Sequence, residues 1–245
     1  MPRRCTVLWA CAVLLTLVFT SLVTACASMP RKEAQVPAAE TDVDYRGGLD
    51  LSTSLFASDK AVISGEDIAA ILGSTITLPD SARISVVKFQ QRPEYGYWSE
   101  EFAALDRQWT ERFLTALKTS PRVNDARMMP SMLVPRDMSI PFLREAAARF
   151  QSELLLIYRS ANWTYTSAKK FAADESRSYC NVEAVLLHVR TGVVVWSGVF
   201  SEDYLTRTTS SDANSYETVR RAEHAAFEKA MMRLAADVTA FLQQP

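Results

Sequence analysis

Few side chains in this 245-residue chain stand where they could make or break a bond, and the clearest is Cys26. Its thiol is the best nucleophile the chain offers for taking up an acyl-bearing group. It follows Val23, Thr24 and Ala25, of which the last two are small enough to let the backbone enter a peptidase groove. These residues end an apolar run, Val7 to Leu22, behind the charged start Arg3-Arg4. A basic start, an apolar core and a small-residue cut site make a secretory signal. The cut would fall between Ala25 and Cys26. An ordinary cleaved signal and a retained membrane helix are the alternatives. The run is slightly short of the roughly 20 residues a span needs, and it exits into Ala27-Ser28-Met29-Pro30 before Arg31 and Lys32 arrive.

The remaining candidates carry little chemistry. His188 and His224 are the only histidines, and neither has an acid or cysteine at ligand spacing, so no metal site is expected. No nucleophile elbow, P-loop or dinucleotide fingerprint occurs, and no cofactor is called for. Glu100-Glu101 suits a helix start, and the neighbours Glu202-Asp203 point to opposite faces of a strand. Met128, Met129, Met132 and Met138 could in principle hold copper(I) through thioethers, but without a His or Cys beside them they read as packing. Asn162-Trp163-Thr164 matches a glycosylation acceptor by chance. Tyr95, Tyr97 and Trp98, in one short loop beside Arg92 and Glu94, suit a protein-binding hot spot. Alternatively they fold back over the sheet edge.

The quartet Val23-Thr24-Ala25-Cys26 resembles the lipobox of bacterial lipoproteins. The resemblance implies a diacylglycerol on the Cys26 thiol and cleavage just before it. Palmitate-type chains would then anchor the protein to a membrane. At roughly 0.8 kcal/mol per buried methylene, one chain binds reversibly and two or more hold stably. Ala27 stands where an Asp would retain an enteric-type lipoprotein at the inner membrane. The resemblance therefore implies an outer-membrane address facing the periplasm.

Removing residues 1–25 takes Arg3 and Arg4 and no acids, leaving 25 basic against 28 acidic side chains, a net −3. That balance excludes a nucleic-acid partner, which calls for a basic face. Cys5 and Cys11 leave with the signal, so Cys180 has no partner for a disulfide. In an apolar strand pattern it is expected to be buried and inert.

Residues 26–59 read as a tether, interrupted by Pro30, Pro37, Gly47 and Gly48 without lasting periodicity. A single domain fills 60–245. Ser64 with Asp67 three residues on forms a capping box, opening a short helix with Ile68, Ile71 and Leu72 as its docking face and Gly73 as its stop. Arg83 to Phe89 is a strand. Ser99 caps a helix with Phe102, Leu105, Trp109, Phe113 and Leu117 at helical spacing. A short strand follows around Ala126 to Met129, and Ser139 caps a helix with Phe142, Ala146 and Phe150 spaced by four and Leu143 and Ala147 beside them. Glu153 to Tyr158 is apolar throughout, as in a central strand covered on both faces. Asn162 to Lys170 is a strand leaving the core, Phe171 to Arg177 a hairpin tip. Tyr179 to Val189 and Val193 to Tyr204 are strands joined at Thr191-Gly192. Tyr216 to Gln243 is a long helix with Val219, Phe227, Met231, Leu234, Val238 and Phe241 as its stripe. The sum is an α/β fold, a three-layer sandwich of a mixed sheet with a long hairpin and packed helices.

Two stretches carry a further resemblance. Leu143 to Tyr158 resembles a "helix, then buried strand" signature, and Val182 to Trp196 a "strand, Thr-Gly turn, strand ending in Trp" signature. Both are found in the superfamily of the curli-secretion pore lipoprotein, the penicillin-binding-protein activator lipoprotein and the N-terminal domain of the Tol translocation protein. The resemblance spans roughly Ala82 to Leu242. It implies a non-enzymatic domain acting by contact with another envelope protein, or with copies of itself in a secretion or assembly component. Pore formation needs membrane-spanning hairpins with an apolar lipid face, and Lys169, Lys170, Asp174, Glu175 and Arg177 crowd the one stretch long enough. An envelope enzyme or small-ligand-binding protein remains the alternative, and would need a pocket of convergent titratable groups.

Overall fold

The computed structural model describes residues 54–56, 63–73, 76–89, 100–167, 174–210, 212 and 215–244. The signal, Cys26, most of the tether, and Tyr95, Tyr97 and Trp98 lie outside them.

The elements run α1 (Gly65–Gly73), β1 (Ala82–Lys88), α2 (Glu100–Leu117), β2 (Val123–Met128), α3 (Ile140–Arg149), β3 (Leu154–Ser167), β4 (Glu175–His188), β5 (Val194–Arg207) and α4 (Ser215–Leu242). The strands form one sheet in the order β2-β1-β3-β4-β5. β1 lies parallel to both β2 and β3, while β3, β4 and β5 form an antiparallel meander. The expected α/β class with a mixed sheet, a long hairpin and a long last helix is what the chain adopts.

Side-chain alternation assigns the two faces. Ile84 and Val86 of β1, Leu154 and Leu156 of β3 and Val182, Ala184 and Leu186 of β4 point toward α2 and α4. There they meet Trp109, Phe113 and Leu117 of α2 and Met231, Leu234 and Val238 of α4, all buried. Burying each large side chain stabilises the fold by about 1.5–3 kcal/mol. Val87, Leu155, Ile157 and Leu187 point the other way, against Ile140, Leu143 and Ala147 of α3, with Leu55 packed beside them. The sheet is thus the middle of three layers. α4 also buries Ala222, Ala226 and Ala230, a row at four-residue spacing that the apolar stripe omits. Small side chains there let the helix axis approach the sheet closely.

Several expectations shift. β3 is one strand of 14 residues where two were expected, and β4 starts at Glu175, within the stretch expected as the hairpin tip. β2 begins at Val123, and β5 runs on to Arg207. The Ser64–Asp67 capping box forms as expected, Asp67 N donating to Ser64 Oγ (3.1 Å) and Ser64 N to Asp67 Oδ2 (3.3 Å). The helix it opens buries none of its residues, however: Ile68, Ile71 and Leu72 are exposed. On α3 the buried positions are Ile140, Leu143 and Ala147, and Phe142 is half exposed. Of the expected positions, the core takes Leu143 and Ala147 rather than the Phe142-Ala146-Phe150 row beside them. Ser139 is its N-cap by position but makes no side-chain cap hydrogen bond, and a proline opens the first turn.

Two local devices tie α3 to the meander. Ser152 N donates to the Ala147 carbonyl and Gln151 N to the Ala148 carbonyl, with Gln151 at φ 63°, the Schellman closure of a helix end. Arg144 then reaches across the β4–β5 turn. Its Nε donates to the Val189 carbonyl (2.9 Å) and an Nη to the Arg190 carbonyl (2.7 Å). Gly192, at φ 78°, leaves room for that guanidinium, since a Cβ would stand 3.0 Å from it. The Thr191-Gly192 turn is as expected.

Candidate interaction face

α3 covers only the near half of its side of the sheet. From Arg159, Glu183 and Val199 outward, no described element lies over the odd-numbered residues of β3, β4 and β5. The register Trp163↔Tyr179↔Asp203 and Tyr165↔Arg177↔Leu205 places these side chains on one face. Tyr165 is 67% exposed, Val199 66%, and Trp163, Tyr179 and Leu205 about two-fifths. Tyr165 and Tyr179 meet edge to face with ring centroids 6.1 Å apart. That geometry suits the ring quadrupoles and fixes the two phenols.

Charged residues flank the aromatics and cancel pairwise. Arg159 Nε donates to Glu183 (2.7 Å), Arg207 Nε to Glu175 (2.9 Å), and Arg177 lies 3.7 Å from Asp203. Among the described residues the face therefore carries three cations and three carboxylates.

The opposite side of the same strands is built from hydroxyls. Ser176 and Ser178 are buried under α4. Thr164 Oγ1 lies within hydrogen-bond distance of Ser178 Oγ (3.1 Å) and Glu223 (3.2 Å), and Thr166 meets Ser176 at 3.1 Å. Asp212 ties in the start of α4, accepting from Thr209 N (2.7 Å), Thr218 Oγ1 (2.9 Å) and Arg221 (2.6 Å). The Thr209 amide, and with it Arg221 and Thr218, holds its carboxyl down to about 2. Along edge strand β5, Trp196 Nε1 donates to Asp237 (3.1 Å), Arg233 to Glu202 (2.5 Å), and Lys229 sits over the Tyr204 ring. The far half of the meander is strapped to α4 and presents its aromatics outward.

The other residues singled out from the sequence do not gather into a site. Cys180 is buried beneath α4, where burial pushes its thiol up to about 12. His188 contacts the Thr191 hydroxyl at 2.9 Å beside the turn. His224 lies in the seam between α2 and α4, its Nε2 buried without a hydrogen-bond partner. Burial lowers its pKa against the pull of Glu228, Asp106 and the Leu105 carbonyl. Met129 is buried, while Met132 is almost fully exposed, so the methionines share no pocket. Among the described residues no group of three His, Cys, Asp or Glu could hold a metal ion. A surface hollow of about 430 Å³ is lined by Ala104, Leu105, Arg107, Gln108 and Glu111, which include no nucleophile–base pair.

Trp163, Tyr165, Tyr179 and Leu205 escaped the sequence reading. The signal was present: Trp163-Thr164-Tyr165-Thr166 and Arg177-Ser178-Tyr179 alternate aromatic or charged with hydroxyl. Such a strand has two different faces.

No family model matches the chain, and no curated protein does. Solved structures similar to it include a PelC dodecamer from Paraburkholderia phytofirmans, at 16% identity over 71% of this chain and 94% of that one, with a TM-score of 0.35. A hypothetical protein from Chlamydia trachomatis is similar at 10% identity, covering 66% and 98%, with a TM-score of 0.39. A minor lipoprotein from Acinetobacter baumannii is similar at 9%, covering 64% and 92%, with a TM-score of 0.34. No helix among the described residues is long and apolar enough to cross a membrane.

Proposed function

We propose that this is a lipid-anchored protein of a bacterial envelope. Cys26 holds it at the outer membrane facing the periplasm, and the domain works there as a non-enzymatic accessory or regulatory module by binding protein. The observation that carries the binding role is the uncovered half-face of β3–β5, where Trp163, Tyr165, Tyr179 and Leu205 are exposed on a sheet secured from behind. Aromatics with a polar rim are the composition of interface centres. Tyr95, Tyr97 and Trp98 are proposed as a second contact. The lipobox-like quartet before Cys26 supports the address.

Two measurements test this. Metabolic palmitate labelling should mark the native chain and leave Cys26→Ser unmarked and released from membranes; an unlabelled native chain would discard the anchor. Chemical crosslinking in intact envelopes should give protein adducts that a Trp163→Ser, Tyr165→Ser double variant loses. Adducts unchanged in that variant would move the contact elsewhere.

A further inference from the structure

We infer that the protein seated on the uncovered β3–β5 face is a second copy of this chain, in a two-fold pairing; this rests on that face being the contact surface. A two-fold interface sets one patch against itself, residue i meeting residue j of the copy, so a patch with a net charge faces the same net charge. Here Arg159–Glu183, Arg177–Asp203 and Arg207–Glu175 cancel among the described residues of the face, and self-contact between those residues carries no net like-charge cost. A partner recognised by its charge would call for an unbalanced face.

The arrangement also suits a self-complementary sheet packing. The aromatics lie in the middle rows and two of the ion pairs at the ends, Arg159–Glu183 nearest α3 and Arg207–Glu175 outermost. That is an apolar centre with a charged rim. Two antiparallel sheets pack face to face about 10 Å apart at roughly −30°, with inner side chains interdigitating. With about 150–250 Å² for each large side chain, the exposed parts of Trp163, Tyr165, Tyr179, Val199 and Leu205 amount to roughly 450 Å². Two faces give about 900 Å² before the flanking charged side chains are added, and those bring the total toward the roughly 1,200–2,000 Å² of a stable interface.

The test uses the full-length chain in its membrane, with the photoreactive residue benzoylphenylalanine at position 165 and, as a control, at position 108 on the exposed side of α2. Irradiation should give a product of twice the chain mass from position 165 and at least tenfold less from 108. Co-expressed isotopically light and heavy copies should appear together in the crosslinked peptide. In detergent, sedimentation equilibrium should show the Kd of self-association rising at least tenfold in Tyr165→Asp, Leu205→Asp, with the thermal midpoint within about 3 °C of the parent. An adduct with a different polypeptide would overturn the pairing and leave the protein-binding face standing. An adduct with glycan or lipid, or monomer alone, would overturn both.

Discussion

The far half of the β3–β5 meander has its chemistry inside out compared with the near half. Near α3, both faces are aliphatic and covered: Leu154, Leu156 and Leu186 on one side, Leu155, Ile157 and Leu187 on the other. Farther out, the covered side holds Ser176, Ser178, Thr164 and Thr166, while the open side holds Trp163, Tyr165 and Tyr179. A buried hydroxyl costs stability unless it is hydrogen-bonded. The partners of these hydroxyls are one another and Glu223. The near half is held by area removed from water, the far half by directed hydrogen bonds to α4. Aromatic area is thereby left for contact with something outside the chain.

The two halves should respond differently to substitution. The largest loss is expected at Leu186→Ala, about 2–5 kcal/mol, because the methylenes leave a cavity in a fully covered layer. Denaturant unfolding measures it, and a loss below about 1 kcal/mol would mean that the near half is not the main core. At Ser178→Ala the expected loss is about 0.5–1.5 kcal/mol, the worth of one hydrogen bond. Hydrogen exchange should show it as earlier opening of the β4 amides around 176–180 than of those around 184–187. Tyr165→Ser on the open face, where the side chain is 67% exposed, should cost no more than about 1 kcal/mol while weakening the envelope crosslinks.

Acid should separate the α2–α4 seam from the strap at the start of α4. His224 is a base whose folded pKa lies below its ordinary value of 6.5, so the unfolded chain binds the proton more readily. Its contribution is present above 6.5 and is lost as pH falls below it. Asp212 is an acid whose folded pKa, about 2, lies below 3.8; its contribution is present above 3.8 and is lost between there and 2. Thermal midpoints should therefore begin to fall below pH 6.5. The His224→Phe variant should shrink that first fall to the share of His188, whose pKa burial also lowers, and keep the second. Asp212→Asn should keep the first and shrink the second to the share of Asp125, whose carboxyl is also held down. The one stabilising change is expected at Gln151→Gly. Relieving a left-handed residue that carries a Cβ should stabilise α3 and the half it covers by about 0.5–1 kcal/mol.

Much of the framework could be read from residue order. The alternation Ile84, Val86 against Val87, Phe89 assigned both faces of β1, and the unbroken run Leu154 to Tyr158 marked the middle of the sheet. Thr191-Gly192 and the Ser64–Asp67 box are local chemistry, decided within four residues. What escaped depends on neighbours distant in sequence. Ser176 and Ser178 are buried because Thr164, Thr166 and Glu223 reach them, and Thr164 and Glu223 stand 59 residues apart. Ala222, Ala226 and Ala230 count weakly in an apolar stripe, yet their small size lets α4 sit low on the sheet. Ile68, Ile71 and Leu72 have the spacing of a docking face, but spacing cannot say whether anything arrives to cover it. The interaction face was missed for the same reason. Alternation shows that a strand has two sides and leaves open which one the rest of the chain will cover.

The position of β1 has a consequence for the order of assembly. β3, β4 and β5 follow one another and need close only their own turns. β1 sits between β2 and β3, and Arg83 meets Glu153 across 70 residues of chain. Loop-closure entropy falls on that join, and topologies with distant pairings are slow to form. A chain emerging from its N-terminus would complete β1 early, could pair one of its edges with β2, and would hold the other open until β3 had followed. During that interval the sequence Ile84-Ser85-Val86-Val87 is a strand with its β3-facing edge open. It is the segment that a holdase chaperone would have most reason to shield.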